Sequence, residues 1–298
     1  MEYLRFTDLQ EVTIDSYRRI LYNYSDYMKK KGITSPKRTD ILNYKEYLKK
    51  RVKSASIQKN IIVIRNFYKW YHIQGYGPNI AEGIKGARIE ATFKREALSI
   101  EQSKKLLAKA KHLATKNICG KRNYAIVSLI ITTGLRTIEI ERSDVSDISK
   151  VGDLNVLYIQ GKGHHDKDNY VKLSNEVYEI IMNYLKERND DHEPLFINHS
   201  NNNKGTRLQT KTVSIVIKDL LRRIGIDSKN YTAHSLRHTV ATTALMNGAT
   251  LQQTQQLLRH SSIETTTIYA HNISRAENNL ELEVSDLMFG NPNKKKKK

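Results

Sequence analysis

Ile57, Ile61, Ile64, Phe67 and Tyr71 recur every three or four residues, with Lys59, Arg65, Asn66 and Lys69 between them. That spacing draws one apolar stripe along a helix of about 3.6 residues per turn and sends the charges to the other side. The same period returns along most of the chain, so the sequence predicts a mainly α protein with strands confined to one short stretch. Ile14, Tyr17, Ile20 or Leu21, Tyr24 and Met28 mark a helix that Thr13 caps and that ends by Gly32. Thr39 to Val52 forms a second helix with Asp40 in its first turn, and a short helix follows Pro78. Residues 1–88 therefore read as a small helical bundle.

The next boundary is compositional. Gly83 and Gly86 introduce a polar, basic stretch from Lys85 to Arg95, whose residues 89–95 read as an interdomain linker. From there Leu98 to His112 resumes helical spacing, with Ser99 as cap and Glu101 and Gln102 in the first turn. A helix rich in Ala, Ile, Val and Leu runs from Lys121 to Thr133 and breaks at Gly134. Val156 to Ile159 and Tyr170 to Leu173 are β-like and flank a loop, Gly161 to Asn169, giving a small antiparallel sheet. Glu176 to Arg188, Lys211 to Ile224, Ser235 to Asn247 and Leu251 to Leu258 read as helices. Residues 96–290 thus form a second, mostly helical domain, and 291–298 a disordered basic tail.

Charge narrows the partners. The 298 residues carry 50 Lys and Arg against 31 Asp and Glu, a net charge of +19, and without the five terminal lysines +14 remains. Such an excess favours a polyanion through counterion release. Residues 1–88 hold 18 basic and 8 acidic side chains and 10 of the 17 tyrosines. Basic outer helix faces carrying Lys59, Arg65 and Lys69 suit a duplex backbone, while most of the tyrosines read as ordinary bundle core. The single cysteine, Cys119, excludes an intramolecular disulfide and zinc-finger spacing. No apolar signal core opens the chain and no apolar run approaches a membrane span, so the sequence reads as cytoplasmic.

The chemistry-bearing residues come in spaced motifs. Thr132-Thr133-Gly134-Leu135-Arg136 ends the apolar helix; His234-Ser235-Leu236-Arg237-His238 and Leu257-Leu258-Arg259-His260 follow; Tyr269 stands nine residues after His260. Arginine forks bind phosphate oxygens and keep their charge, histidine exchanges protons near neutrality, and an activated tyrosine can take a phosphoryl group covalently. His234 and Arg237, three residues apart, share one helix face. His234 and His238 also have the four-residue spacing of a zinc helix, without the glutamate and third ligand such sites use. Arg136 has a structural alternative as an ion-pair partner of Glu139 or Glu141.

This set resembles the tyrosine recombinases, or phage-type integrases, over roughly residues 95–285 by motif and over the N-terminal part by architecture. The resemblance implies a SAM-like core-binding domain, a catalytic domain and the following roles. Tyr269 is the nucleophile, Arg136 and Arg237 grip the scissile phosphate, His234 moves protons, and His260 hydrogen-bonds the phosphate. Lys162, in the strand-to-strand loop, is the general acid, with Lys167 a rival in the same loop. Glu139 supports the site; His238, by its place on the helix, reads as a supporting or core histidine. A glycine commonly stands where Arg259 does, so Arg259 must accept the local backbone and could add a phosphate contact.

The implied activity is site-specific recombination of double-stranded DNA with paired half-sites, without cofactor or metal. Its protomers assemble as a tetramer on DNA. The stripe Ile273, Ala276, Leu280, Val284 and Leu287 either packs on its own domain or docks on a neighbouring protomer. The helical pattern begins near residue 13, so a Xer-like recombinase without an arm-binding domain is expected. A type IB topoisomerase sharing the chemistry, a noncatalytic DNA-binding regulator and a metal-dependent phosphodiesterase are the competing functions.

Overall fold

The computed structural model describes residues 2–88, 96–161, 166–259, 285, 288 and 289. The chain divides into two compact units, residues 1–92 and 93–298. In the first, a 3-10 turn at Glu2–Phe6 precedes α1 (Glu11–Lys30), α2 (Arg38–Lys49) and α3 (Ser54–Ile73). Ile57, Ile61, Ile64 and Tyr68 of α3 are buried against Tyr24 and Met28 of α1 and Ile41, Tyr44 and Leu48 of α2. Each such side chain contributes about 1.5–3 kcal/mol by leaving water. Tyr3, Tyr24, Tyr44 and Tyr68 are core, whereas Tyr22, Tyr47 and Tyr76 are exposed. Tyr24 and Tyr68 share a 3.0 Å hydrogen bond between their hydroxyls. Burial pushes the Tyr44 hydroxyl up to about 12 and raises Tyr24 and Tyr68 as well, so these tyrosines are poor sources of phenolate.

The second unit runs α4 (Ile100–Ala114), α5 (Ile118–Thr133), α6 (Thr137–Arg142), β1 (Ile148–Val151), β2 (Leu154–Ile159) and β3 (Asn169–Lys172). It continues with α7 (Asn175–Arg188), α8 (Thr210–Arg222), α9 (Ala233–Met246) and α10 (Leu251–Leu258). α5 is the axis of this unit. Its residues Ala125 to Ile130 are all buried, and α4, α7, α8 and α9 pack around it. An apolar run without a polar face can only be a central helix. Ser99 caps α4 with a reciprocal box: its Oγ accepts from the Gln102 N–H at 3.1 Å, and Gln102 Oε1 accepts from the Ser99 N–H at 2.9 Å.

Three expectations are corrected. The helix after Pro78 is a single turn, in which the Ile84 N–H donates to the Ala81 carbonyl and Gly83 has φ +65°. A left-handed residue stops propagation there, and burial of Ala81 and Ile84 fixes the turn. α1 begins at Glu11 rather than behind a Thr13 cap, and Gln10, its N-cap residue, makes no side-chain capping bond. The sheet has a third strand: β1 pairs antiparallel with β2 (Ile148↔Leu157), which pairs antiparallel with β3 (Leu157↔Val171). β1 is mostly exposed, so its sequence carries little of the alternation that marks strands. Among the described residues, no helix is long and apolar enough to cross a membrane.

Charged side chains tie the sheet to the helices. Asp144 accepts from Arg207 Nη2 at 2.7 Å and from Lys167 Nζ at 2.6 Å, and Lys167 also donates to Asp147 Oδ2 at 2.6 Å. Arg207 Nη1 donates to the carbonyls of Glu141 and Ser143. Burial would raise Asp144, but the bonds from Lys167 and Arg207 outweigh it and hold the carboxyl below 3.8. Burial would lower Lys167, and the two aspartates instead raise it above 10.5. The depressed carboxylate contributes stability that is lost as pH falls below about 3.8; the raised ammonium contributes stability that is lost as pH rises beyond about 10.5. Lys167→Ala is therefore expected to cost about 1–3 kcal/mol at pH 7, between the surface and buried limits for ion pairs. Urea unfolding across pH should show this difference narrowing at both extremes. A difference that does not change with pH would mean lost side-chain packing instead of lost charge.

Candidate active site

The site starts where α5 stops. Gly134 takes φ +66° and its N–H donates to the Ile130 carbonyl at 2.9 Å, the left-handed end of the helix. A Cβ at Gly134 would lie 2.7 Å from Leu258 Cδ2, so glycine is needed for the approach of α10 as well as for the turn. Two residues on, Arg136 is the N-cap residue of α6. The fully buried Glu139 holds it twice: Oε2 accepts from the Arg136 N–H at 2.7 Å, and Oε1 accepts from Arg136 Nη1 at 2.9 Å. The Arg136–Glu139 pairing expected as a structural alternative is thus present, and it presents the guanidinium rather than hiding it: Arg136 keeps a quarter of its side chain exposed. Glu141 is engaged elsewhere, accepting from the Thr210 N–H at the start of α8.

α9 supplies the next two groups. Arg237 is buried at 1% exposure, and its Nη1 and Nη2 donate to the carbonyls of Gly134 and Leu258. His234, in the first turn of α9, is exposed, while His238, one turn on, is buried. Their rings meet edge to face with centroids 5.3 Å apart. Arg136, His234 and Arg237 all line one open cleft of about 810 Å³ between the start of α6, α8 and the start of α9.

Lys211, Lys218 and Arg222 line that cleft too. None of the three was singled out by motif. They recur on one side of α8, opposite the buried Val213, Ile217, Leu220 and Leu221, so the basic stripe was readable as the polar face of an amphipathic helix. The cleft therefore gathers five cationic side chains and one carboxylate, Asp219. Such a cleft attracts phosphate backbone.

The remaining expected residues sort by position. Arg259 ends α10 in the left-handed region, and its Nη2 lies 3.3 Å from Glu139 Oε2. It joins the Arg136–Glu139 pair. Lys59, Arg65 and Lys69 are exposed on α3 in the first unit, on the side away from its core. Lys162, His260 and Tyr269, together with the stripe from Ile273 to Val284 and Leu287, lie outside the described residues. Both flanks of the Lys162 loop are described. The Gly161 carbonyl accepts from Arg142 Nη1 at 3.2 Å, and Lys167 is committed to Asp144 and Asp147. Among the described residues no cluster of three His, Cys, Asp or Glu side chains could hold a metal.

Comparisons with known proteins bear on the family and the fold. Residues 96–276 match the phage integrase family, and residues 1–75 match the phage integrase N-terminal SAM-like domain. The tyrosine recombinase XerD of Oceanobacillus iheyensis is 30% identical over 275 residues, covering 88% of each chain. XerD of Rhizobium meliloti is 30% identical over 269 residues, covering 87% of this chain and 84% of its own. Among solved structures, XerH site-specific recombinase in a post-cleavage complex with palindromic difH substrate has the same fold. It superposes with a TM-score of 0.74 at 19% identity, over 93% of this chain and 80% of that one. Lambda integrase (75–356), as a dimer bound to a COC′ core site, gives a TM-score of 0.67 at 16% identity, over 92% and 93%. By the extent of the domain match and by its full-length relatives, the chain belongs to the phage integrase family, as a Xer-like tyrosine recombinase.

Proposed function

We propose that this protein recombines DNA at specific sites through a covalent 3′-phosphotyrosyl intermediate on Tyr269. The observation that carries the reading is the single cleft in which Arg136, His234 and Arg237 converge beside the cations of α8. In that cleft the two guanidiniums hold the non-bridging oxygens of a scissile phosphate and stabilise the charge that builds in the transition state. The Tyr269 oxygen bonds to phosphorus, the 5′ oxygen leaves with a proton, and the phosphate ester energy stays in the protein–DNA bond. A 5′ hydroxyl from the partner duplex then attacks, releasing Tyr269. His234 serves proton transfer, His260 seats the phosphate, and His238 backs His234 from the buried side. Lys211, Lys218 and Arg222 contact the flanking backbone.

In this reading residues 1–88 are a core-binding domain whose Lys59, Arg65 and Lys69 lie along the duplex. Residues 89–95 link it to a catalytic domain over 96–290, and 291–298 form a basic tail. Protomers assemble into a tetramer on paired half-sites through the stripe from Ile273 to Leu287, in the cytoplasm. Lys162 is the general acid in preference to Lys167, because a lysine held by two aspartates with its pKa raised gives up its proton poorly.

Three measurements test this. A suicide duplex nicked beside the cleavage point should trap the wild-type protein as a denaturant-resistant adduct, while Tyr269→Phe should bind the same duplex and form none. Equal trapping of the Phe variant would remove Tyr269 from the mechanism. Cleavage should persist in EDTA, since the charge is stabilised by Arg, Lys and His side chains; activity restored only by a divalent ion would favour a metallohydrolase.

The third separates acid catalysis from binding. Lys162→Ala should leave DNA affinity nearly unchanged but slow cleavage about 10²–10⁴-fold, the usual worth of a positioned acid. Sulfur in place of the bridging 5′ oxygen departs without a proton and should restore the variant, though not Arg136→Ala. Rescue confined to Lys167→Ala would transfer the role to Lys167.

A further inference from the structure

Asn189 and Arg259 are the two non-glycine residues with positive φ among the described residues. Asparagine tolerates this region; an arginine there costs about 1–2 kcal/mol relative to a relaxed backbone. Arg259, at φ +54° and ψ +47°, closes α10 where glycine would fit without strain. The side chain explains what glycine would not supply. Only 16% of it is exposed; Nη1 donates to the Leu257 carbonyl at 2.9 Å, and Nη2 reaches Glu139 Oε2 at 3.3 Å.

Glu139 therefore faces two guanidiniums, Arg136 on Oε1 at 2.9 Å and Arg259 on Oε2 at 3.3 Å. With a single arginine, the buried carboxylate would neutralise the cation it positions, and a phosphate would compete with Glu139 for the charge of Arg136. With two arginines the cluster keeps one net positive charge. Burial lowers the pKa of Arg259, Glu139 opposes that shift, and the charge of Arg136 adds to it, as expected for cations crowded round one anion.

We infer that Arg259 is a positioning residue: by neutralising Glu139 it lets that carboxylate orient Arg136 without consuming the charge Arg136 brings to the scissile phosphate. This rests on the recombinase reading, and its test is the rate of strand cleavage, not binding. Arg259→Asn keeps a side chain that accepts the left-handed backbone and removes the charge; Arg259→Gly relaxes the backbone as well; Arg259→Lys restores the charge.

Single-turnover cleavage of the suicide duplex at saturating protein should fall on the order of 10- to 100-fold in Arg259→Asn and in Arg259→Gly. Arg259→Lys should recover most of the rate, and affinity for the duplex should stay within about twofold, as expected for a charge turned onto Glu139 instead of DNA. In a Glu139→Gln background, where no carboxylate remains to neutralise, Arg259→Asn should cost nothing further. The inference is overturned if Arg259→Gly cleaves at the wild-type rate, because Arg259 is then only a helix end. It is overturned equally if Arg259→Asn costs the same with and without Glu139, or acts by weakening DNA binding with a shallower salt dependence. Adduct formation by wild type and its absence in Tyr269→Phe, run alongside, keep failure here apart from failure of the recombinase reading.

Discussion

Arg237 is the fastener of the catalytic unit. From α9 it bonds the carbonyl of Gly134, more than a hundred residues earlier, and the carbonyl of Leu258 at the end of α10. Those two points also touch, since Leu258 Cδ2 fills the space a side chain at Gly134 would need. One buried guanidinium thus holds the turn before Arg136 and the turn before His260 at fixed places. A buried cation that lost these carbonyls would pay a desolvation penalty of several kcal/mol, so the arrangement is all or none. Substitution at Arg237 accordingly confounds folding with the phosphate contact proposed for it. Arg136, a quarter exposed and held by side-chain and backbone bonds to one carboxylate, reports more directly on chemistry.

How much of this was legible in the sequence depended on whether a residue's role is local. The break at Gly134, the cap at Ser99, the extent of α10 and the pairing of Arg136 with Glu139 are all decided within a few residues, and spacing revealed them. The convergence of Arg136 with His234 and Arg237 is not local; it became readable only through the likeness to a family. The basic side of α8 was visible as an amphipathic pattern, yet nothing in a helical wheel says whether a polar face meets a cleft or bulk water. β1 escaped because an edge strand exposed along most of its length needs no alternation. A proline such as Pro78 can open a helix or a single turn alike, and it is the left-handed Gly83 that limits this one to a turn.

Arg259 is the instructive case. Its departure from the glycine expected at that place was plain in sequence, and it suggested a phosphate contact. In the structure its Nη2 reaches Glu139 Oε2 at 3.3 Å. Sequence shows that a charge is present, but its direction depends on which buried anion lies within reach. Here that anion belongs to α6, 120 residues earlier.

The loop that carries Lys162 follows the same logic of fixed ends. Arg142, from the last turn of α6, grips the Gly161 carbonyl, and Asp144 and Asp147 grip Lys167. Both anchors sit within the eleven residues that follow Arg136, so one short stretch of chain sets the arginine and the flanks of the loop together. Lys167 is itself part of the anchor, its ammonium held between the carboxylates of Asp144 and Asp147.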